Sequence, residues 1–597
     1  MEPKYFFFLC LSFYIVNCTF YIEAQATIRY VSKTGSSTPP YTNWQTAADS
    51  IQKCINLCVD GDTIYVANGI YKENLVINTA ISLIGSSMDS TVIDGTGLGD
   101  YTVVFSAGGI IENFNIYGKS ETVLTSRVIR FNNISSNLII KNCNLSDAGV
   151  GVSMVGGDVD AQNLLIKNVT RGFNVFGYYK NTITNCTVLL DKENSIGVSI
   201  GYSPSVDNYI NNNIILFSGT THPQHGISIG APRSVYIYNN LISGFVDNIF
   251  IDSPYDTVYI KNNVLNYQFV VGGSPASINA GNNRFKVNNV VLANNKYAII
   301  ANGNPKIDYN IFWKNQRNLI GVNYGDSDIV ADPMFVKDTL PNAQLDFDYH
   351  LQAYSPAIDK GDPNILDLDG SRSDIGMYGG PFGETYTYQD LAPLAPRNLS
   401  AVVDSSTILV KWKRNTEADT AFYKVYRDTV SGFTIDSTKL VSSSSDSFFV
   451  QANPNINIRY VYKITCVDNQ GNESQPSTEL VVNITDVEDY PQLTTNYLLY
   501  QNYPNPFNPS TKIGYQLKER AYVKLMVYDI KGELVSVLVN KEQNAGYYEV
   551  EFSSASIKNP VSSINSLASG IYLYRIEVIG EGRIPVYTEM KKMILIK

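Results

Sequence analysis

The sequence predicts an all-β chain: a parallel β-helix with an N-terminal cap helix, followed by two β-sandwich domains. Three observations carry this. An asparagine-marked motif recurs through the first 310 residues, the alternation changes character after a Pro-rich stretch at 381–396, and it changes again near 497. The motif is an aliphatic residue, a spacer, one to three asparagines and more aliphatics. It reads I-E-N-F-N-I at 111, I-K-N-C-N-L at 140, I-N-N-N-I-I at 210 and I-K-N-N-V-L at 260. Asn113, Asn142, Asn163, Asn185, Asn212, Asn239 and Asn262 mark the steps, and Asn288 and Asn310 are expected to continue them. A loose period of 21 to 29 residues is a repeat signature. Each unit is too short to bury its own apolar face, so neighbours must stack. Asn suits the step because it tolerates the left-handed conformation and can bond the Asn of the next coil.

Composition narrows the function classes. With 45 basic and 55 acidic residues the net charge is −10, which argues against a nucleic-acid or anionic-membrane partner. Tyrosine is abundant, at 42 residues, against 3 histidines. Tyrosine favours β structure and offers a flat face with a polar tip, suited to sugar or protein contacts.

The start reads as an export signal over 1–26. Lys4 supplies the charge, Tyr5 to Val16 the apolar run and Ala24-Gln25-Ala26 the cleavage site. The run is shorter than the ~20 residues a membrane span needs, and no other segment is long and apolar enough. Removal of the signal takes Cys10 and Cys18 with it. The five remaining cysteines, Cys54, Cys58, Cys143, Cys186 and Cys466, show no zinc-type spacing and read as small buried hydrophobes. A disulfide is permitted but not required.

Asn43 to Cys58 has helical spacing, with Ala47, Ile51, Ile55 and Cys58 on one face and Asn43 as N-cap. G-D-T-I-Y-V, G-I-Y-K-E-N-L-V-I and I-S-L-I-G follow. With the repeats, these strings resemble the pectin-lyase-like superfamily of right-handed parallel β-helices over 27–385. The resemblance implies the fold; the superfamily holds lyases, hydrolases, esterases and non-enzymes, so it does not imply one activity. A second strand recurs in the coils as G-F-N-V-F at 172, G-V-S-I-G at 197, G-I-S-I-G at 226, N-I-F-I-D at 248 and Q-F-V-V-G at 268. Its alternate residues, such as Ile227 and Ile229, are expected to point inward. The stack is expected to close over 331–380.

Residues 393–486, with Trp412, F-Y-K-V-Y-R and Y-V-Y-K-I-T-C-V-D, resemble a fibronectin type III module. From 497 to 597, Y-Q-N-Y-P-N-P-F-N-P-S-T-K-I, V-K-L-M-V-Y-D-I-K-G-E-L-V, S-G-I-Y-L-Y-R-I and K-K-M-I-L-I-K resemble the type A sorting domain of the type IX secretion system. That resemblance implies Sec-dependent export, passage through the type IX machinery, and release or surface attachment. The sorting signal then includes Pro504, Asn505, Pro506, Lys591, Lys592 and Lys597.

Candidate chemistry is sparse. Q-H-G-I-S-I-G around His225 resembles a polygalacturonase element, but the matching acidic elements are missing upstream, where N-V-T-R-G and N-S-I-G-V stand. Paired carboxylates are what glycoside hydrolysis needs. Stacking the second strands instead predicts a column of Arg171, Ile196, His225, Asp247 and Tyr267 at steps of roughly 4.8 Å. Arg171, His225 and Asp247 are the catalytic candidates and Tyr267 a substrate-binding one, for a lyase in which a base and a cation stabilise a carbanion-like intermediate. Asp367, Asp369 and Asp374 are candidate calcium ligands, although an Asp-Gly turn accounts for them too; no cofactor is required. His350 reads as a satisfied residue of the closing segment. The expected function is an exported carbohydrate-binding or polysaccharide-degrading protein acting on a polysaccharide or cell-surface glycan. The alternative is a non-catalytic adhesin.

Overall fold

The computed structural model describes residues 26–120, 124–133, 136–270, 274–339, 344–403, 407–455, 458–484, 497–554, 567–579 and 585–596. The expected export signal at 1–26 therefore falls almost wholly outside the described residues, as does Lys597. The chain divides into two compact units. The first takes in Met1–Pro393 with Thr416–Thr420 and Asp468–Asn472, and the second takes in the remainder.

The first unit is a β-solenoid whose strands form one 30-stranded sheet wound into three faces. Face one climbs eleven rungs from Leu75–Ile77 to Arg317–Ile320 by successive parallel pairings. Face two climbs from Ile28–Val31 to Lys306–Asp308, and face three from Gly69–Tyr71 to Ile311–Trp313. The 17-residue strands Leu138–Met154 and Val159–Val175 run through all three faces. Register puts like on like in the core. Ile183, Ile210, Ile237, Ile260, Val287 and Ile307 stack inside face two, all buried. Burial of each such side chain contributes about 1.5–3 kcal/mol. Ile227 and Ile229 point inward as expected. Cys143 and Cys186 are enclosed too, and desolvation pushes both thiols up to about 12.

The turn between faces two and three explains the repeat. Asn113, Asn142, Asn163, Asn185, Asn212, Asn239 and Asn262 all adopt positive φ, between 51° and 64°. The next residue does a second job. Asn213, Asn240, Asn263 and Asn310 are completely buried. Asn240 Oδ1 accepts from Asn213 N and Nδ2, both at 2.9 Å, while Asn240 Nδ2 donates to Ile210 O at 2.8 Å. Asn263 repeats the pattern on Asn240, and Asn310 accepts from Val290 N. The series also shifts at its end. Asn288 closes a strand opposite Lys261 and Asp308, so Asn289 turns; Tyr309 then turns in place of Asn310, which joins the buried ladder.

Three other expectations change. The helix is Ile51–Ile55, five residues capped by Ser50, and not the span from Asn43. The preceding segment is a turn and bends: Asn43 Oδ1 caps the turn by accepting from Thr46 N, and Ala48 bridges Val31. The string at 268 forms no strand in its described residues; that rung is Ile278–Ala280. Finally, the segment expected to close the stack, 331–380, does not cover the last rung in its described residues. It lies along face three, where Phe335, Tyr349, Leu351, Ile375 and Met377 pack on Leu216, Leu241, Val264, Val291 and Ile311. The turning asparagines hold this segment: Asn239 Nδ2 donates to Met377 O at 2.9 Å and Asn262 Nδ2 to Asp374 O at 3.0 Å.

The second unit holds two seven-stranded arrangements, each of a three-stranded and a four-stranded antiparallel sheet. In the first, Trp412 packs against Tyr423 with ring centroids 5.3 Å apart. Tyr460 Oη accepts from Asn455 N at 2.9 Å, tying a strand start to backbone upstream. In the second, Ile513, Tyr515, Val523, Leu525, Tyr574, Ile576 and Met593 form the core.

The ladder gives a stability prediction. Asn240→Ala leaves buried backbone groups unpaired at roughly 1–3 kcal/mol each, so denaturant unfolding of the first unit should show a loss of about 3 kcal/mol. Asn185→Gly keeps the left-handed turn at an exposed position and should change stability by under about 1 kcal/mol.

Candidate functional site

Face one carries the outward side chains of interest. Register places Arg127, Val150, Arg171, Ile196, His225 and Asp247 on successive rungs at one edge. Arg130, Ser153, Asn174, Ser199, Ser228, Phe250 and Asn279 form a second column three residues along. Glycine makes this edge possible. A Cβ on Gly226 would lie 2.3 Å from Ile242 Cγ2 and 2.6 Å from Asn248 O, so the recurring G-x-S-x-G is a packing requirement of the corner.

His225 and Asp247 are brought together. Asp247 is buried, and its Oδ1 accepts from Ala276 N at 3.0 Å and Asn279 Nδ2 at 3.1 Å. Its Oδ2 is thereby held 3.3 Å from His225 Nδ1. The His225 ring stacks on Phe250, with centroids 4.6 Å apart. The two groups are close without being hydrogen-bonded, since His225 Nδ1 is buried without a hydrogen-bond partner among the described residues.

Two rungs away, Arg171 donates to Asn174 Oδ1 at 3.4 Å, and burial lowers its pKa. Arg127 and Arg130 straddle Tyr101, with guanidinium carbons 5.4 and 4.9 Å from the ring centroid. Arg130 Nη1 donates to Tyr101 Oη at 2.6 Å. The Nε atoms of Arg127 and Arg130 are buried without an acceptor. Among the described residues, none of these three arginines has a carboxylate oxygen within 4 Å. Half-buried cations without a counter-charge are costly, and this strip presents them in line.

At the opposite edge of face one, Tyr178, Tyr202 and Tyr255 stand about half exposed, Tyr178 and Tyr202 on successive turns and Tyr255 two turns further on. Their ring centroids lie 5.8 and 6.1 Å apart, edge to face. The sequence reasoning missed Arg127, Arg130 and this strip. R-V-I-R-F could have been aligned with G-V-G-V-S-M by its inward pattern, whereas the tyrosines sit where no repeat element marks them.

Other candidates are placed elsewhere. Tyr267 leaves the column: it takes φ 49° at a turn after Val264–Asn266, and Ala276 follows Asp247 instead. The extra residues between these strands shift the count by nine. Asp367, Asp369 and Asp374 do not converge. Asp367 accepts from the amides of Asp374 and Gly380, Asp369 from Ser371, and Asp374 from Asp359 N and Tyr388 Oη, both at 2.9 Å. His350 stacks 3.8 Å from Tyr378 between Asp348 and Glu384. In the second unit, Asn505 Oδ1 accepts from Ile594 N at 2.8 Å and its Nδ2 donates to Lys592 O, while Lys591 pairs with Glu589 and Pro504 O accepts from Thr511 Oγ1. Pro506 precedes Phe507, whose N–H donates to Ile594 O. No helix among the described residues is long and apolar enough to cross a membrane; strands are another matter.

Fold and site thus define a β-solenoid with a face bearing three arginines that have no carboxylate partner among the described residues, a neighbouring His and Asp, and a tyrosine edge. No family model matches the chain. It is 33% identical over 94 residues to the amylopullulanases of Thermoanaerobacterium saccharolyticum and Thermoanaerobacterium thermosulfurigenes, a stretch covering 16% of this chain. That stretch spans only 7% and 5% of those proteins. Among solved structures it is similar to pectate lyase Pel9A, at 14% identity and TM-score 0.35 over 59% of this chain and 96% of that one. Pectin methylesterase PemA from Erwinia chrysanthemi gives 14% and 0.28 over 42% and 92%, and an Fn3-like protein from Clostridium thermocellum 26% and 0.14 over 17% and 100%. These scores are low, and the solenoid is defined by its own strand register.

Asp374 supplies a pH prediction. Burial raises its pKa to about 6, above the unfolded value of about 3.9. The native state then binds the proton more tightly, so this contribution is full below pH ~4 and is lost as pH rises through ~6. Two pK units correspond to roughly 3 kcal/mol. Asp374→Asn should remove that downward slope between pH 4 and 6 in denaturant titrations.

Proposed function

We propose that this chain is an exported glycan-acting protein whose face one holds an acidic polysaccharide. The observation that carries the reading is the group of Arg127 and Arg130 on one rung and Arg171 two rungs on, partly buried and, among the described residues, without a carboxylate within 4 Å. A repeating polyanion supplies counter-charges at regular steps, and Arg matches carboxylate geometry bidentately. Tyr178, Tyr202 and Tyr255 offer flat faces to the sugar rings. His225, beside Asp247, is the residue we assign to proton abstraction α to a uronate carboxyl, with Arg171 neutralising the developing charge; this is lyase-type chemistry on a pectin-lyase-like scaffold. The local likeness to two amylopullulanases is in keeping with a glycan context.

A second reading has its own support. Ser153, Asn174, Ser199 and Ser228 form a small polar floor with no further acid or base, which suits an adhesin that binds without cleaving. We assign the first module of the second unit to the fibronectin type III class, as a spacer. Its 3+4 strand layout, Trp412 and the Tyr460–Asn455 bond support this. The last module we assign to type IX sorting, after Sec export, with release or surface attachment following its removal.

The full chain should bind polygalacturonate or alginate. Arg171→Ala and Arg130→Ala should each weaken binding at least about tenfold, since charge-assisted hydrogen bonds contribute roughly 1.5–3 kcal/mol. Affinity chromatography showing no retention on any acidic glycan, or retention unaffected by both changes, ends the binding proposal. Unsaturated product followed by ultraviolet absorbance separates the two readings. His225→Ala should abolish product while leaving binding within about twofold; a wild-type chain that binds but yields no product is the adhesin. For sorting, a chain ending at 496 should stay inside the cell envelope, and its arrival at the surface overturns that assignment.

A further inference from the structure

We propose that Asp390, Asp419 and Asp468 form a calcium site, distinct from the face-one glycan strip and independent of that reading. One carboxylate oxygen from each lies within 4.8 Å of the others, the only such acidic or His/Cys group of three among the described residues. All three belong to the first compact unit. Oxygens bound to one calcium at 2.3–2.6 Å lie no more than about 5 Å apart, so a single ion reaches all three.

The partners of each carboxylate make the case. Asp468 is buried, and its Oδ1 accepts from Gln470 N at 2.9 Å and Asn472 N at 2.8 Å, which fixes the D-N-Q-G-N turn. Asn472 Nδ2 donates at 3.0 Å to both Asp468 Oδ2 and Asp390 Oδ1. Asp419 is different. Its residue is 6% exposed, yet among the described residues its carboxylate receives no hydrogen bond except from its own amide. One of its oxygens lies within 4.8 Å of an oxygen of each of the other two acids. No Lys, Arg or His among the described residues lies within 4 Å of any of the three carboxylates. Burial, and then the charges of Asp468, Glu417 and Asp390, push the Asp419 carboxyl up.

Buried like charges without a cation are unfavourable unless they bind a proton or a metal. A hard divalent ion resolves the conflict: it takes one oxygen from each acid, leaving Oδ1 of Asp468 on its turn amides. Water completes the six to eight oxygens calcium prefers. Asp390 is exposed, which gives the ion a route in. The ion would fasten Asp390 to the 416–420 and 468–472 loops.

The test uses the full chain, freed of metal with EDTA and titrated with calcium chloride by calorimetry, with thermal melts alongside. Wild type should show saturable binding and a rise in melting temperature that magnesium at equal concentration does not give. Asp419→Asn and Asp390→Ala should each weaken calcium binding at least tenfold. In EDTA, Asp419→Asn should melt no lower than wild type, because it removes an unbalanced charge; Asp390 is exposed, so its variant keeps the fold in any event. Absence of calcium binding in wild type, or binding undiminished in both variants, overturns the site; an equal response to magnesium overturns its assignment to calcium.

Discussion

The buried asparagine column is the interaction on which the rest of the solenoid depends. A turn that passes from one face to the next must turn its backbone groups away from both ladders. Inside the core those groups have no water to meet. Asn213, Asn240 and Asn263 solve this because a primary amide copies a peptide group, accepting from an N–H in one coil and donating to a C=O in another. The bonds work only when successive coils are one strand spacing apart and in the same register. They therefore hold rise and phase over the coils that carry them, from Asn213 to Asn263, alongside the aliphatic columns.

One consequence runs outward. With the second asparagine of each pair committed to the interior, the first must take the left-handed turn and face away. Its amide then has no partner within the coil. On face three that spare donor is used: Asn212, Asn239 and Asn262 donate to the main chain of Phe382, Met377 and Asp374. The segment after the last rung is thus held along the side of the stack, where it shields the apolar residues Leu241, Val264 and Val291. The same dipeptide builds the core and docks its cover.

The period was legible in the sequence because the turning residue must tolerate positive φ, which few side chains do. The division of labour within the pair was not, since N-N reads the same whichever residue turns inward; Asn288 and Asn310 went astray for that reason. The path of 331–389 left no periodic trace, being held by side chains bonding to backbone. Cap-helix spacing at 43–58 was genuine but lost to strand pairing by Ala48, a tertiary contact that overrides local propensity. For the site, Arg171, Ile196, His225 and Asp247 could be aligned because their coils keep one strand rhythm. Tyr267 could not, because added residues before Ile278 break it. Asp419 and Asp390 were invisible: nothing in a linear reading brings positions so far apart to one point.

A repeating scaffold separates binding from chemistry in a way a pocket does not. Positions in register recur at one strand spacing, so an outward column meets an extended polymer with many similar contacts, each modest alone. In the proposed function, Arg127, Arg130, Arg171 and the tyrosine edge are of this kind, and such contacts arise whenever a coil substitutes one exposed residue. A reactive group needs the reverse, a place where the repeat is broken and neighbours are tuned to one residue. On face one that place is the His225 rung. Below it the column holds Ile196, above it the buried Asp247, and beyond that Ala276, whose amide helps hold the carboxylate. The imidazole is thus flanked by one apolar and one anionic neighbour, with an aromatic ring against its face. Among the described residues of face one, the His225 rung is where an imidazole stands within 3.3 Å of a carboxylate held by its neighbours.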